Sequence, residues 1–234
     1  MADTPRSDEP ELLDLYCCGG GCALGYRRAG FLVTGVDIAP QPRFPFPFFQ
    51  RDALEFLRGE GRRFDAIHAS PPCHDHTVLA KRTGRLDGTG WLLAATRAAL
   101  GPAIDMGTPV VIENVVGAEM RCDLLLCGTM FPELRVRRHR QFEIYNATVP
   151  QPEHTRRHPL THTLDKRKAH YGMTDEWRDF VQVTGGGNST VAAACDAMGI
   201  DAPFTKYEVN QALPPAYTVY IGKFLREHLA GAGG

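Results

Sequence analysis

An apolar run from Leu12 to Cys17 breaks directly into Cys18-Gly19-Gly20-Gly21 and continues as a helix-like stretch from Cys22 to Ala29. A second apolar run, Phe31 to Val36, is closed by Asp37. Strand, glycine turn, helix and strand in so short a span leave one economical topology. Two strands lie parallel and are joined by a right-handed crossover. Gly30 stops the helix. The same grammar continues downstream. Asp52 caps a short helix to Leu57. Phe64 to Ala69 is a strand ending at Ser70-Pro71-Pro72-Cys73, and Trp91 to Ile104 has helical spacing. Val110 to Ile112 is a strand running into Glu113-Asn114. The expectation is an α/β fold with a mixed, mostly parallel sheet and helices on both faces. Pro40 to Phe49 alternates proline and phenylalanine and reads as an ordered loop rather than a helix.

The pattern changes after about Tyr145. Residues 146–172 are rich in His, Pro, Thr and basic side chains. From Arg135 to His170 there are nine Lys/Arg against three Asp/Glu. A Gly185-Gly186-Gly187-Asn188 loop precedes a helix from Ser189 to Met198, and Thr205 to Leu229 is helical again with a break at Pro214-Pro215. The division expected is a leader without order (1–10), a catalytic domain (11–145 and 206–234), and a small recognition region inserted between its halves (146–205). The last helix, Ala216 to Leu229, should pack back near the first strand. The whole chain carries a formal charge of -1, so it does not coat nucleic acid with its entire surface, but a local basic patch is compatible with that balance. No apolar run approaches a membrane span. The acidic, polar start is no secretory signal. Seven cysteines without a CxxC pair fit a reduced cytoplasmic compartment.

Three strand ends carry the chemistry. The glycine turn after the first strand, with Asp37 ending the second, reads as a nucleotide-type pocket, in which a carboxylate can take both ribose hydroxyls, or as a plain turn. The spacing is not GxGxxG, which disfavours a dinucleotide. Cys73 stands on a proline-stiffened loop and reads as a nucleophile or as a buried filler. His74 and His76 could activate it if protonated, or join it on a metal; no metal is expected. Glu113 reads as an acid–base or hydrogen-bonding group, or as a cap for a following helix. In Arg135 to Arg140, alternation places Arg138 and Arg140 on one strand face, as phosphate or base contacts or as a solvated basic edge strand. His154, His158 and His162 are spaced as a ladder, but Pro152 and Pro159 break the helix it needs, so they read as solvated or phosphate-facing. Gly185 to Asn188 is either a phosphate nest or a plain turn. Trp177 reads as core of its own segment.

Taken in order, Asp14-Leu15-Tyr16, Gly20-Gly21, Asp37, Asp52, Ser70-Pro71-Pro72-Cys73, Glu113-Asn114-Val115 and Arg138-His139-Arg140 resemble the DNA cytosine-5 methyltransferases. The resemblance spans roughly residues 12–144 and returns at Gln211-Ala212-Leu213-Pro214-Pro215. It implies a Rossmann-like S-adenosylmethionine-dependent methyltransferase fold, with S-adenosyl-L-methionine as donor and S-adenosyl-L-homocysteine as product. Tyr16 would lie against adenine, Asp37 on the ribose, and Asp52 at the adenine amino group, with Gly19, Gly20, Gly21, Ile38, Ala53 and Pro71 completing the cofactor site. Cys73 would attack C6 of a flipped cytosine. Glu113 would bond N3 and the exocyclic amine, and Arg140 would bind O2 with Arg138 supporting it. His74, His76, Arg137, Arg156, Arg157, Gly186 and Asn188 would meet double-stranded DNA, and a monomer would suffice for catalysis.

The compact chain and short recognition region look like phage-encoded members acting in a bacterial cell. Departures are His74 where the family has Gln, Cys18 where it has the first glycine, and Asn210-Gln211 where Gly-Asn is usual. The rival readings are an RNA cytosine-5 methyltransferase, an enzyme transferring another group to cytosine, and a non-catalytic DNA-binding relative. The Cys-Phe-Thr motif of the tRNA-acting relatives is absent.

Overall fold

The computed structural model describes residues 9–72, 88–154, 180–183 and 189–232. Its elements are β1 (Glu11–Leu15), α1 (Gly21–Arg28), β2 (Leu32–Asp37), β3 (Phe48–Gln50), α2 (Ala53–Glu60), β4 (Ala66–Ala69), α3 (Trp91–Asp105), β5 (Val110–Asn114), β6 (Leu124–Leu126), β7 (Arg140–Tyr145), α4 (Val191–Met198), α5 (Lys206–Gln211) and α6 (Pro215–Ala232). The strands form one seven-stranded sheet in the order β3-β2-β1-β4-β5-β7-β6. β1 to β5 run parallel, and β7 and β6 add an antiparallel end. This is a Rossmann-like α/β architecture.

Period-two alternation splits the core between the two faces. Leu12, Val33, Ala66, Val111 and Phe142 face α1 and α6. Leu13, Leu15, Ile67, Val110 and Ile112 face α2 and α3. Strands buried on both sides need near-continuous apolar runs, which is why the sequence pattern is so plain here. α6 shares its core with Leu12 through Tyr217 and Ile221, but it reaches the sheet across α1. Thr218 Oγ1 donates to the Cys22 carbonyl at 2.9 Å, and the crossing is possible because Gly25 has no Cβ: one would sit 2.0 Å from Thr218 Oγ1.

Several details differ from the sequence reading. Glu9 and Pro10 already belong to the fold, since the Pro10 carbonyl accepts from Leu32 N at 2.9 Å; residues 1–8 lie outside the described residues. Glu113 and Asn114 end strand β5 and cap no helix. Only Arg140 of the basic stretch is in a strand. Arg138 precedes β7, so the two arginines do not share a strand face. The edge-strand reading fails as well: β7 is enclosed between β5 and β6, because the hairpin supplies an outer partner that local charge could not reveal. Residues 191–204 contribute Ala194, Met198, Ile200 and Phe204 to the same core as α1 and α6.

Candidate active site at the carboxyl ends of the strands

β1 and β4 are neighbours, yet the helices described after them, α1 and α3, pack on opposite faces of the sheet. Such a reversal opens a crevice beyond the strand ends. A cleft of about 310 Å3 lies there, lined by Tyr16, Asp37, Ile38, Ser70, Pro71, Pro72, Glu113, Arg140, Tyr207 and Gln211 among others. A smaller recess beneath it is lined by Gly19, Gly21, Cys22, Ala212 and Leu213.

The turn after β1 is held in strained backbone. Tyr16 has φ 59 and Cys18 φ 45, left-handed conformations that cost a side-chain-bearing residue roughly 1–2 kcal/mol each. Two anchors hold them. The Tyr16 hydroxyl pairs with Thr96 Oγ1 of α3 at 2.7 Å, and Cys18 N donates to Asp37 Oδ2 at 3.0 Å. Asp37 Oδ1 accepts from Ala39 N at 2.9 Å. One carboxylate thus fastens the first loop to the end of β2, and its remaining lone pairs are available to a ligand in the cleft. Burial raises the Tyr16 phenol above its ordinary value and the Cys18 thiol to about 11, so both are neutral groups here.

The glycines serve the protein as much as any ligand. A Cβ on Gly21 would stand 2.6 Å from the Leu213 carbonyl oxygen, and one on Gly20 3.0 Å from the Phe44 ring. The Gln211 to Pro215 segment and the proline–phenylalanine loop therefore press against the glycine turn. Gly20 also has φ 93 at the N-terminus of α1, a conformation glycine adopts without cost.

On the β4 side, the Asn114 amide donates to the Pro71 carbonyl at 3.1 Å and its Oδ1 accepts from Val115 N at 2.9 Å. This braces the proline loop from below, one residue pair before Cys73. Across the cleft, Glu113 Oε1 and Arg140 Nε form an ion pair at 2.8 Å. Arg140 Nη1 also donates to the His139 carbonyl at 2.8 Å. Both groups are mostly buried, so pairing offsets a large part of their desolvation. Arg138 is buried, donating from Nη1 to Val183 O at 2.9 Å and from Nη2 to Asn210 O at 2.5 Å. Those carbonyls come from segments distant in sequence, so Arg138 ties the chain before β7 to both of them.

Behind the cleft lies a buried polar chain. His68 Nε2 meets Ser70 Oγ at 2.9 Å and Nδ1 meets the Tyr26 hydroxyl at 3.0 Å. Burial pushes His68 down to about 3, so it is neutral. Asp14 is fully buried and neither oxygen has a hydrogen-bond partner. Burial, then the charges of Asp37 and Glu113, raise its carboxyl well above the usual range.

No protein-family model and no curated protein sequence matches the chain. Solved structures do. A candidate DNA modification methyltransferase encoded within an E. coli prophage superposes with a TM-score of 0.63 at 14% identity, covering 95% of this chain and 100% of that one. The methyltransferase EhMeth of Entamoeba histolytica superposes with a TM-score of 0.61 at 10% identity, covering 95% and 99%. The chain has the fold of these methyltransferases.

That fold gathers Tyr16, Ile38, Asp37, Pro71, Glu113 and Arg140 around one cleft, and Gly19 and Gly21 around the recess below it. Asp52 and Ala53 stand at the N-terminus of α2; the Asp52 carboxylate caps it by accepting from Glu55 N at 2.8 Å. Arg137 is exposed. Cys73, His74, His76, Arg156, Arg157, His158, His162, Trp177, Gly186 and Asn188 lie outside the described residues. The sequence reading did not anticipate Tyr207 in the cleft wall, nor Glu208 beneath the loop. Glu208 binds Arg43 Nε at 2.9 Å and closes a capping box with Thr205. Burial alone would raise the Glu208 carboxyl, but Arg43 and Thr205 hold it below its ordinary value. The Thr205-x-x-Glu208 spacing was the one local signal available.

Proposed function

We propose that this protein is a cytosine-5 methyltransferase acting on DNA with S-adenosylmethionine as donor. The reading is carried by one arrangement. A carboxylate suited to a ribose, Asp37, and a carboxylate–guanidinium pair suited to a pyrimidine edge, Glu113 and Arg140, line a single cleft. The braced Pro71-Pro72 loop, which leads to Cys73, lines the same cleft.

The residues present suit the donor. Tyr16 offers an aromatic side chain, Asp37 keeps acceptor capacity after its two backbone bonds, and the recess beside Gly19 and Gly21 extends the cleft. When bound, the sulfonium supplies an electrophilic methyl group. The chain's own groups do the rest. Cytosine C5 is a poor nucleophile, so the Cys73 thiolate adds to C6 and makes the ring an enamine. Glu113 hydrogen-bonds N3 and the exocyclic amine, and Arg140 faces O2, offsetting charge as the ring becomes electron-rich. Loss of the C5 proton and departure of Cys73 restore the aromatic ring. Arg138 positions Arg140. A base inside a duplex cannot reach this cleft, so the target is flipped out. The basic residues Arg137, Arg156 and Arg157, with residues 146–205 as recognition region, are the proposed contacts to the duplex. The prophage-encoded neighbour supports DNA rather than RNA as the acceptor.

The test is methyl transfer from labelled donor to duplex DNA and to tRNA, with 5-fluorocytosine DNA as a trap. Transfer to C5 of DNA cytosine and a stable protein–DNA adduct, both lost in Cys73→Ala, are expected. Transfer to tRNA alone, a different modified nucleoside, or DNA binding with neither turnover nor adduct would each reject the reading.

A further inference from the structure

At the connection end of the β6–β7 hairpin, beside the cleft-lining Arg140, three metal-ligating side chains converge. Cys127 follows β6 and His139 precedes β7. The antiparallel register that pairs Leu126 with Arg140 puts these two residues opposite each other. His154 arrives from the segment leaving β7. The Cys127 sulfur and one ring nitrogen from each histidine all lie within 4.8 Å of one another, and the two imidazole rings meet edge to face with centroids 5.3 Å apart.

We propose that Cys127, His139 and His154 bind a zinc-type divalent ion that locks the hairpin. The donor set is one thiolate and two imidazoles, the mixture that favours zinc over calcium or magnesium. Tetrahedral zinc with bonds of about 2.3 Å to sulfur and about 2.0 Å to nitrogen sets its ligand atoms roughly 3.3–3.6 Å apart. The widest present gap therefore closes by at most about 1.5 Å, within reach of side-chain rotation at the two half-buried histidines. The sulfur is already provided for. It is buried, yet it accepts from Thr129 Oγ1 at 3.2 Å and from the Met130 backbone N–H. Such donors orient a thiolate and compensate its charge, as outer partners do in metal sites.

The position gives the ion a purpose. His139 adjoins Arg140, and the His139 carbonyl accepts from Arg140 Nη1. Binding would tie the end of β6, the start of β7 and the chain leaving β7 to one point. That would fix the guanidinium that pairs with Glu113. Three protein ligands leave a fourth position for water. The helical spacing of His154, His158 and His162 plays no part, since two of the three ligands are distant in sequence.

The test is titration of the chelator-treated, fully reduced whole chain with cobalt(II), then zinc. One equivalent should produce a thiolate-to-cobalt absorption band with tetrahedral d–d bands, and zinc should displace them. Cys127→Ser should remove the charge-transfer band. His139→Asn and His154→Asn should each weaken zinc binding by more than ~100-fold. These two surface-accessible variants carry the test if Cys127→Ser does not fold. Cys73→Ser, which removes the thiol flanked by His74 and His76, should leave the band intact. Absence of one-equivalent uptake by the wild-type chain, unchanged zinc affinity in both histidine variants, or a band lost in Cys73→Ser and kept in Cys127→Ser would overturn the assignment.

Discussion

Adding one methyl group at Gly21 separates two explanations of the glycine turn. If the glycine exists only to let a ligand approach, Gly21→Ala weakens donor binding and leaves the empty protein as stable as before. The structure predicts otherwise. The new Cβ would fall 2.6 Å from Leu213 O and 2.9 Å from Ala212 Cβ, where ordinary contact begins at 3.4 Å. Backbone must therefore yield by about 0.8 Å. Overpacking of this kind costs roughly 1–3 kcal/mol, and the turn sits between α1 and α6, where little can move independently. For a chain of this size that is a fall in Tm of roughly 3–10 °C. Because the displaced segment follows Gln211, which lines the cleft, donor affinity should fall as well. Urea unfolding of the ligand-free variant, followed by calorimetric titration with S-adenosylmethionine, reads both effects. Gly59→Ala is the control. Gly59 lies in α2, and a Cβ added there would meet nothing within 4 Å, so the substitution should stabilise by roughly 0.5–1 kcal/mol. A Gly21→Ala protein with unchanged urea midpoint and weakened donor binding would refute the packing argument.

Other expectations follow from the same contacts. Asp37→Ala should weaken donor binding by roughly 1–3 kcal/mol and loosen the strained turn at Cys18; unchanged calorimetric affinity would remove Asp37 from the donor site. His68 is held neutral down to about 3 against an ordinary 6.5, so the unfolded chain binds more protons in that window and His68 costs stability as pH falls through it. Asp14 has the opposite sign: its raised pKa makes the folded chain gain stability as pH falls toward 3.8. Asp14→Asn removes that offset, so stability should decline between pH 6.5 and 4.5 more steeply than in the wild type, by up to about 1.4 kcal/mol per pH unit. Urea midpoints across that range that fall no faster in the variant would contradict this. Arg97 binds Glu143 at 2.7 Å, tying α3 to β7. Burial raises the Glu143 carboxyl, but Arg97, Tyr145 and the Arg121 N–H hold it below its ordinary value. Glu143→Gln should thus destabilise at pH 7 by roughly 1–3 kcal/mol, with the difference shrinking as pH drops through the carboxylate range. A pH-independent difference would mean that the charge is not what matters.

Local pattern carried the first half of the molecule. The apolar runs at Leu12, Phe31, Ile67 and Val110 are strands buried on both faces, so each residue type reports its own burial, and the order strand–turn–helix fixes parallel topology. Asp52 as a cap, the break at Pro214-Pro215 and the placing of Asp37 and Glu113 at strand ends were legible for the same reason: each depends on neighbours in sequence. Only the tertiary structure decided what depends on distant partners. Arg138 reads as one of a pair on a strand, yet its guanidinium is buried on the carbonyls of Val183 and Asn210. The glycine turn reads as a ligand cradle, yet Leu213 and Phe44 fill the space beside it. His154 reads as a solvated or phosphate-facing histidine, yet it stands beside His139 and Cys127. Sequence spacing records rise and periodicity along a single element. Which carbonyl, ring or sulfur arrives from elsewhere is set by how helices pack on the sheet, and no local window contains it.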